Sequence, residues 1–143
     1  MVPLITLRPG GANTTHRGRD RPTRNTANHS NTIAMNLNNL ISALMIVESS
    51  NNNLAIGDQG RAIGCLQIHR SVVLDVNRIT GSHYRHQDMT NRAAARAVCQ
   101  AYLTHYGRGA TTEQLARRWN GGPTGDRKTA TVTYWRRVQK HIK

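Results

Sequence analysis

The chain has no phenylalanine, only two cysteines and two glutamates, and aromatic residues fill 4% of its 143 positions. Each shortage excludes something. Cys65 and Cys99 cannot build a disulfide framework, so the fold rests on packing with at most one bridge, and two small buried thiols are the simpler reading. Those cysteines and the seven histidines are scattered without ligand spacing, so neither a metal nor another cofactor is expected. Few aromatics and no recognised nucleic-acid motif argue against specific nucleic-acid recognition. No apolar run approaches the length of a membrane span, and "VPLITL" near the start is too short for a signal-peptide core.

Acid is scarce and base abundant: seven Asp and Glu stand against 20 Lys and Arg, for a net charge of +13. Residues 1–33 hold five Arg, three Pro and many Asn and Thr without helical or strand period, and read as a disordered basic arm. Its five Arg against Asp20 supply +4, which leaves +9 for residues 34–143, one domain able to bury a modest core. Such a field attracts anionic partners, among them nucleic acid, acidic membranes and bacterial cell-wall polymers.

From Asn36 the sequence turns periodic. Leu37, Leu40, Ile41 and Leu44 recur at helical spacing and predict an amphipathic helix over 35–50, ended by "SSNNN". "LAIGDQGRAIGCLQIH", with three glycines, predicts a short irregular hairpin, and "RSVVLDVNRITG" a helix closed by Gly81. Thr90 is a candidate N-cap for the next helix, which Gly107 stops. Thr111 with Gln114 forms a possible capping box, "NGGPTG" breaks the chain, and Val132, Trp135, Val138 and Ile142 share a face of the last helix. The expected fold is mainly α (α+β), five helices with one small β element.

One of the two glutamates closes the most hydrophobic segment. Glu48 follows Leu44 by four residues, Ile41 by seven and Leu37 by eleven, so it lies on the apolar stripe itself. Half-desolvation there disfavours the charged form and raises the pKa, which suits a general acid. The plainer alternative is a helix-terminal Glu turned outward or paired with an arginine. Asp58, in the turn "GDQG", is the natural second carboxylate, and is also simply a favoured turn residue. Across a sugar, a carboxyl gap of about 5 Å suits retention and one of about 6.5–9.5 Å inversion. "WNGGPTG" sets Trp119 and Asn120 beside two glycines, which offers a stacking surface, an amide and close backbone approach. Gln67 is polar in an apolar setting and needs a partner from protein or ligand.

In order, "VESSNN", "GDQGRAIGCLQIH", "VCQAYLTHYG", "LARRWNGGPTG" and "TATVTYWRRVQ" resemble the invertebrate-type (destabilase-type) lysozymes, within the lysozyme-like and lytic transglycosylase superfamily. The resemblance covers about residues 40 to 139. It implies a lysozyme-like fold and a bacteriolytic glycoside hydrolase acting on peptidoglycan, at the β-1,4 bond between N-acetylmuramic acid and N-acetylglucosamine. It also implies Glu48 as general acid, Asp58 as second carboxylate, and Gln67, Asn120 and Tyr134 near the saccharide groove. The chain departs from the family in holding two cysteines where the family is cysteine-rich, in placing Trp119 where His often stands, and in a shorter Glu48 to Asp58 spacing. Should Asp58 not reach, the resemblance to lytic transglycosylases implies that the substrate's own acetamido group closes on the anomeric carbon, with Glu48 as sole acid and base and 1,6-anhydro products. A basic nucleic-acid-binding module and a lysozyme-like protein that binds saccharide without cutting it are the rivals of another class. The expectation is a monomeric muramidase acting at the cell wall, held on anionic wall polymers by its basic surface, with no specific nucleic-acid partner and no visible export signal.

Overall fold

The computed structural model describes the backbone over residues 24–143 and side chains over 36–143. Residues 1–23 of the expected arm lie outside the described residues. From Arg24 the backbone is helical, so α1 (Arg24–Ser49) begins earlier than the apolar period at Leu37 suggests. The stretch from Asn25 to Met35 contains no glycine or proline, so nothing in it breaks a helix propagated outward from the packed turns.

Leu40, Ile41, Ala43, Leu44 and Met45 are all essentially buried, and around them α1 meets α3 (Arg92–Tyr106), α4 (Thr112–Gly121) and α5 (Thr131–Val138). Val98, Cys99, Tyr102 and Leu103 from α3, Ala116 from α4 and Val138 from α5 complete one core. α2 (Arg70–Thr80) adds Val73 and Val76, and ends as the glycine predicts: Gly81 takes φ 70° and donates its N–H to the Asn77 carbonyl. Both thiols are free and buried, in keeping with the simpler reading.

The β element is a three-stranded antiparallel sheet of two-residue strands, β1 (Ile56–Gly57), β2 (Ala62–Ile63) and β3 (Ile68–His69), in the order β1-β2-β3. Gly57 pairs with Ala62 and Ala62 with His69, so one row crosses all three strands. Gly64, which follows β2, needs its missing side chain. Its φ is +82°, and a Cβ there would stand 1.9 Å from the Met89 carbonyl oxygen in the 3-10 turn His86–Thr90. Gly64→Ala is therefore expected to destabilise the protein by about 2–4 kcal/mol, through left-handed strain and a displaced turn, as a fall in the denaturation midpoint at unchanged m.

Other boundaries shift for local reasons. Asn91, not Thr90, caps α3: its side chain accepts the Ala94 N–H at 3.0 Å, while Thr90 ends the 3-10 turn and bonds back to Gln87. The Thr111–Gln114 capping box forms reciprocally at 2.9 and 3.2 Å. α5 is shorter than its apolar face, tightening after Val138 into a 3-10 turn.

Candidate active site

The end of α1 is pinned to the sheet. Ser50 and Asn51 adopt left-handed conformations, φ 54° and 66°, and reverse the chain. Ser49 donates its hydroxyl to the Cys65 carbonyl at 2.8 Å, which fixes the last helical turn against the β2–β3 connection. The preceding residue is Glu48, and its side chain joins Asp58, Ala62, Gln67, Ile68, His69, Val72, Trp119 and Asn120 along a cleft of about 340 Å³. Five sequence candidates (Glu48, Asp58, Gln67, Trp119 and Asn120) thus line one cavity, at the seam between the sheet and α1, α2 and α4.

Glu48 is held from the protein side. The Tyr134 hydroxyl donates to its Oε1 at 2.7 Å, and the Arg137 guanidinium, bonded to the Val47 carbonyl at 3.2 Å, lies nearby. Burial raises its pKa above the ordinary 4.5 and outweighs the opposing effects of the Tyr134 hydrogen bond, the Arg137 charge and the Trp119 indole N–H. The site at the C-terminal end of α1 adds to the cost of a negative charge, because the helix macrodipole is negative there. Since Tyr134 donates to Oε1, the proton of the neutral acid belongs on Oε2.

Tyr134 was expected beside the saccharide. It is 8% exposed and does not line the cleft; it holds the carboxyl instead. Tyr134→Phe should therefore lower kcat by about tenfold through a less well-held acid, with KM little changed. It should also move the alkaline limb of the pH–rate profile upward, because the lost hydrogen bond favoured the carboxylate.

Asp58 occupies the turn between β1 and β2, where Asp58, Gln59 and Gly60 all have positive φ (48°, 57° and 87°). Aspartate tolerates that region better than most residues. Its Oδ1 accepts from Arg61 Nη2 at 2.9 Å, and its Oδ2 is 3.4 Å from His69 Nε2. The side chain is 45% exposed, so it meets the cleft from its solvent side. Gln67, at φ 48°, donates its amide to the Ala55 and Gly64 carbonyls at 3.2 and 2.9 Å, so the protein supplies the partners the sequence demanded. Its Oε1 lies 2.3 Å from where a Cβ of Gly57 would be, so that glycine makes room for the amide. Trp119 and Tyr102 meet in a T-shaped pair, with ring centroids 5.6 Å apart.

Sequence reasoning missed Arg61 and His69. No period-2 spacing could have signalled His69, because Gln67 two residues before it is left-handed and β3 begins only at Ile68. Among the described residues no His, Cys, Asp and Glu cluster has the makings of a metal site.

The chain as a whole has counterparts among known proteins. The chain is 30% identical over 106 residues to a lysozyme of Meretrix lusoria, covering 70% of this chain and 85% of that protein. The chain belongs to the invertebrate-type lysozyme family. It is also 36% identical over 84 residues to a lysozyme of Ostrea edulis and 38% identical over 81 residues to lysozyme 1 of Crassostrea virginica. Those alignments cover 56% and 53% of this chain, and 61% and 42% of the two oyster proteins, so it spans less than two thirds of either. A solved structure of inhibitor-bound Meretrix lusoria lysozyme superposes with a TM-score of 0.58 at 30% identity, over 71% of this chain and 87% of that one. The crystal structure of Aeromonas hydrophila PliI in complex with Meretrix lusoria lysozyme contains a chain that matches at 0.61, with the same identity and coverage. No family model matches the sequence. The lysozyme-family fold, helical around a small antiparallel sheet, is the one drawn from the sequence, and no helix among the described residues is long and apolar enough to cross a membrane.

Proposed function

We propose that the protein is a muramidase that hydrolyses the β-1,4 bond between N-acetylmuramic acid and N-acetylglucosamine in peptidoglycan, with Glu48 as general acid and Asp58 as second carboxylate. The observation that carries this reading is the pairing of unlike carboxyls in one cleft: Glu48 buried and inclined to keep its proton, Asp58 half-exposed and held by a guanidinium. A buried carboxyl that keeps its proton can serve as the acid, while a second carboxyl in the same cleft is placed to meet the positive charge of the reaction. Glu48 delivers its proton to the departing glycosidic oxygen as the bond to the anomeric carbon breaks. Asp58 faces the positive charge that develops there, as nucleophile or by orienting a water. Water then supplies the hydroxyl at the new reducing end, and Glu48 recovers a proton.

Trp119 and Asn120 also line the cleft, and an indole and an amide suit a sugar ring and its acetamido group. The net charge of +13 favours retention on anionic wall polymers, an attraction that weakens with added salt.

A second reading has its own observation. Asp58 is engaged by Arg61 at Oδ1 and approached by His69 at Oδ2, which leaves its oxygens less free to attack. If the substrate's acetamido group performs the displacement instead, the product is a 1,6-anhydro sugar. Digestion of purified peptidoglycan and mass analysis of the fragments separates the two. Hydrolysis gives muropeptides with free reducing ends, one water heavier than the anhydro products that would replace the first reading by the second. Absence of any glycan cleavage would overturn both.

A further inference from the structure

A second cavity of about 300 Å³, which shares only His69 with the cleft that holds Glu48, is lined by Gly60, Arg61, His69, Arg70, Ser71 and His86. Four of these six residues carry a guanidinium or an imidazole, and none carries an acid. The neighbouring carboxylate, Asp58, has Arg61 bonded to it through Nε to the backbone oxygen and Nη2 to the side chain, which leaves Nη1 for another acceptor. His86 is fixed by the bond from its Nε2 to the Ile68 carbonyl at 2.7 Å, a contact in which the carbonyl can only accept. Among the described residues the exposed Arg70 guanidinium and Ser71 hydroxyl have no side-chain hydrogen-bond or ion-pair partner. The cavity is therefore cationic, supplied with donors, and joined to the cleft through His69, which lines both.

We propose that this cavity is a subsite for a carboxylate of the acidic peptide stem that branches from the muramic acid of a glycan lying in the cleft, an assignment that rests on the muramidase reading above. The sugar backbone of peptidoglycan offers hydroxyls and amides to the cleft, and its anionic groups lie on the peptide. A carboxylate matches the planar fork of Arg70 and the free Nη1 of Arg61, and Ser71 adds a neutral donor. Because the stem is covalently attached to a sugar already bound next door, its carboxylate arrives at high effective concentration, which a phosphate on a separate wall polymer does not. The subsite makes the protein prefer stem-bearing glycan to bare glycan.

Equilibrium binding tests this without relying on turnover. Affinities are measured for the disaccharide carrying its peptide and for the same disaccharide with the peptide removed and the lactyl carboxyl so freed capped as its methylamide, on the full chain and on Arg70→Gln. The peptide should tighten binding to the wild type by about fivefold, the scale of an exposed charge-assisted contact. In Arg70→Gln that gain should fall below about twofold. A peptide gain that is equal in the two proteins, or absent from the wild type, overturns the subsite. Inorganic phosphate is titrated alongside: if it binds through Arg70 while the peptide brings no gain, the cavity is a phosphate site and the carboxylate assignment is wrong. A peptide gain lost in Arg70→Gln, in a protein whose digests show no cleavage, leaves the subsite standing and removes the muramidase reading. Cleavage with no peptide gain does the reverse, and no binding of either disaccharide overturns both.

Discussion

Glu48→Gln is expected to abolish clearing of peptidoglycan, with a loss of at least about 10²–10⁴-fold in rate, while the protein stays folded. The amide keeps the size of the side chain and an Oε1 that can accept the Tyr134 hydroxyl, so the 2.7 Å contact survives. What disappears is the proton for the leaving oxygen. Stability moves the other way. Below the ordinary glutamate value both folded and unfolded chains hold the Glu48 proton, and burial costs nothing extra. As pH rises above it the unfolded chain ionises first, so stability declines until pH passes the raised folded value. A glutamine is exempt from that decline, so the variant should be at least as stable as the wild type at neutral pH. Turbidity loss of wall suspensions and a denaturant titration read the two effects. Wild-type clearing by the variant would remove Glu48 from the chemistry.

Asp58→Asn is expected to lower hydrolysis by about a hundredfold or more, since the amide carries no negative charge to meet the developing cation. The substitution also leaves Arg61 without its ion pair at 2.9 Å. That pair is exposed, with side-chain accessibilities of 65% and 45%, so its loss should change stability by no more than about 1 kcal/mol. Activity and stability thus separate cleanly at this position. Product masses from the residual activity add a second readout. Retention of most of the activity with anhydro products would favour the acetamido route and make Asp58 a turn residue.

The periodic parts of the fold were legible in the sequence. The stripe from Leu37 to Leu44, the glycine that closes α2 and the Thr111–Gln114 box are local signals, and each is where the residues place it. Glu48 was legible for the same reason, as an acid on an apolar stripe. The register of two-residue strands leaves no such trace. That Gly57, Ala62 and His69 form one row, which puts an imidazole beside Asp58, follows from pairings that no residue type announces. Tyr134 shows the limit from the other side. Its position was singled out, but its partner lies 86 residues away on another helix, and only the packing of α5 on α1 turns the hydroxyl toward the acid rather than the cleft. Thr90 and Asn91 are both good caps, and the 3-10 turn that ends at Thr90 decides between them.

The scarcity of glutamate makes the central claim directly measurable. Carboxyl-13C glutamate labels only two side chains, Glu48 and Glu113, and Glu113→Gln assigns the pair. An NMR titration of the Glu48 carboxyl should then give a midpoint above the ordinary 4.5, the signature of an acid kept protonated by burial. A midpoint at or below 4.5 would mean that the hydrogen bond from Tyr134 and the charge of Arg137 outweigh burial, and Glu48 would then be a carboxylate where the mechanism requires an acid.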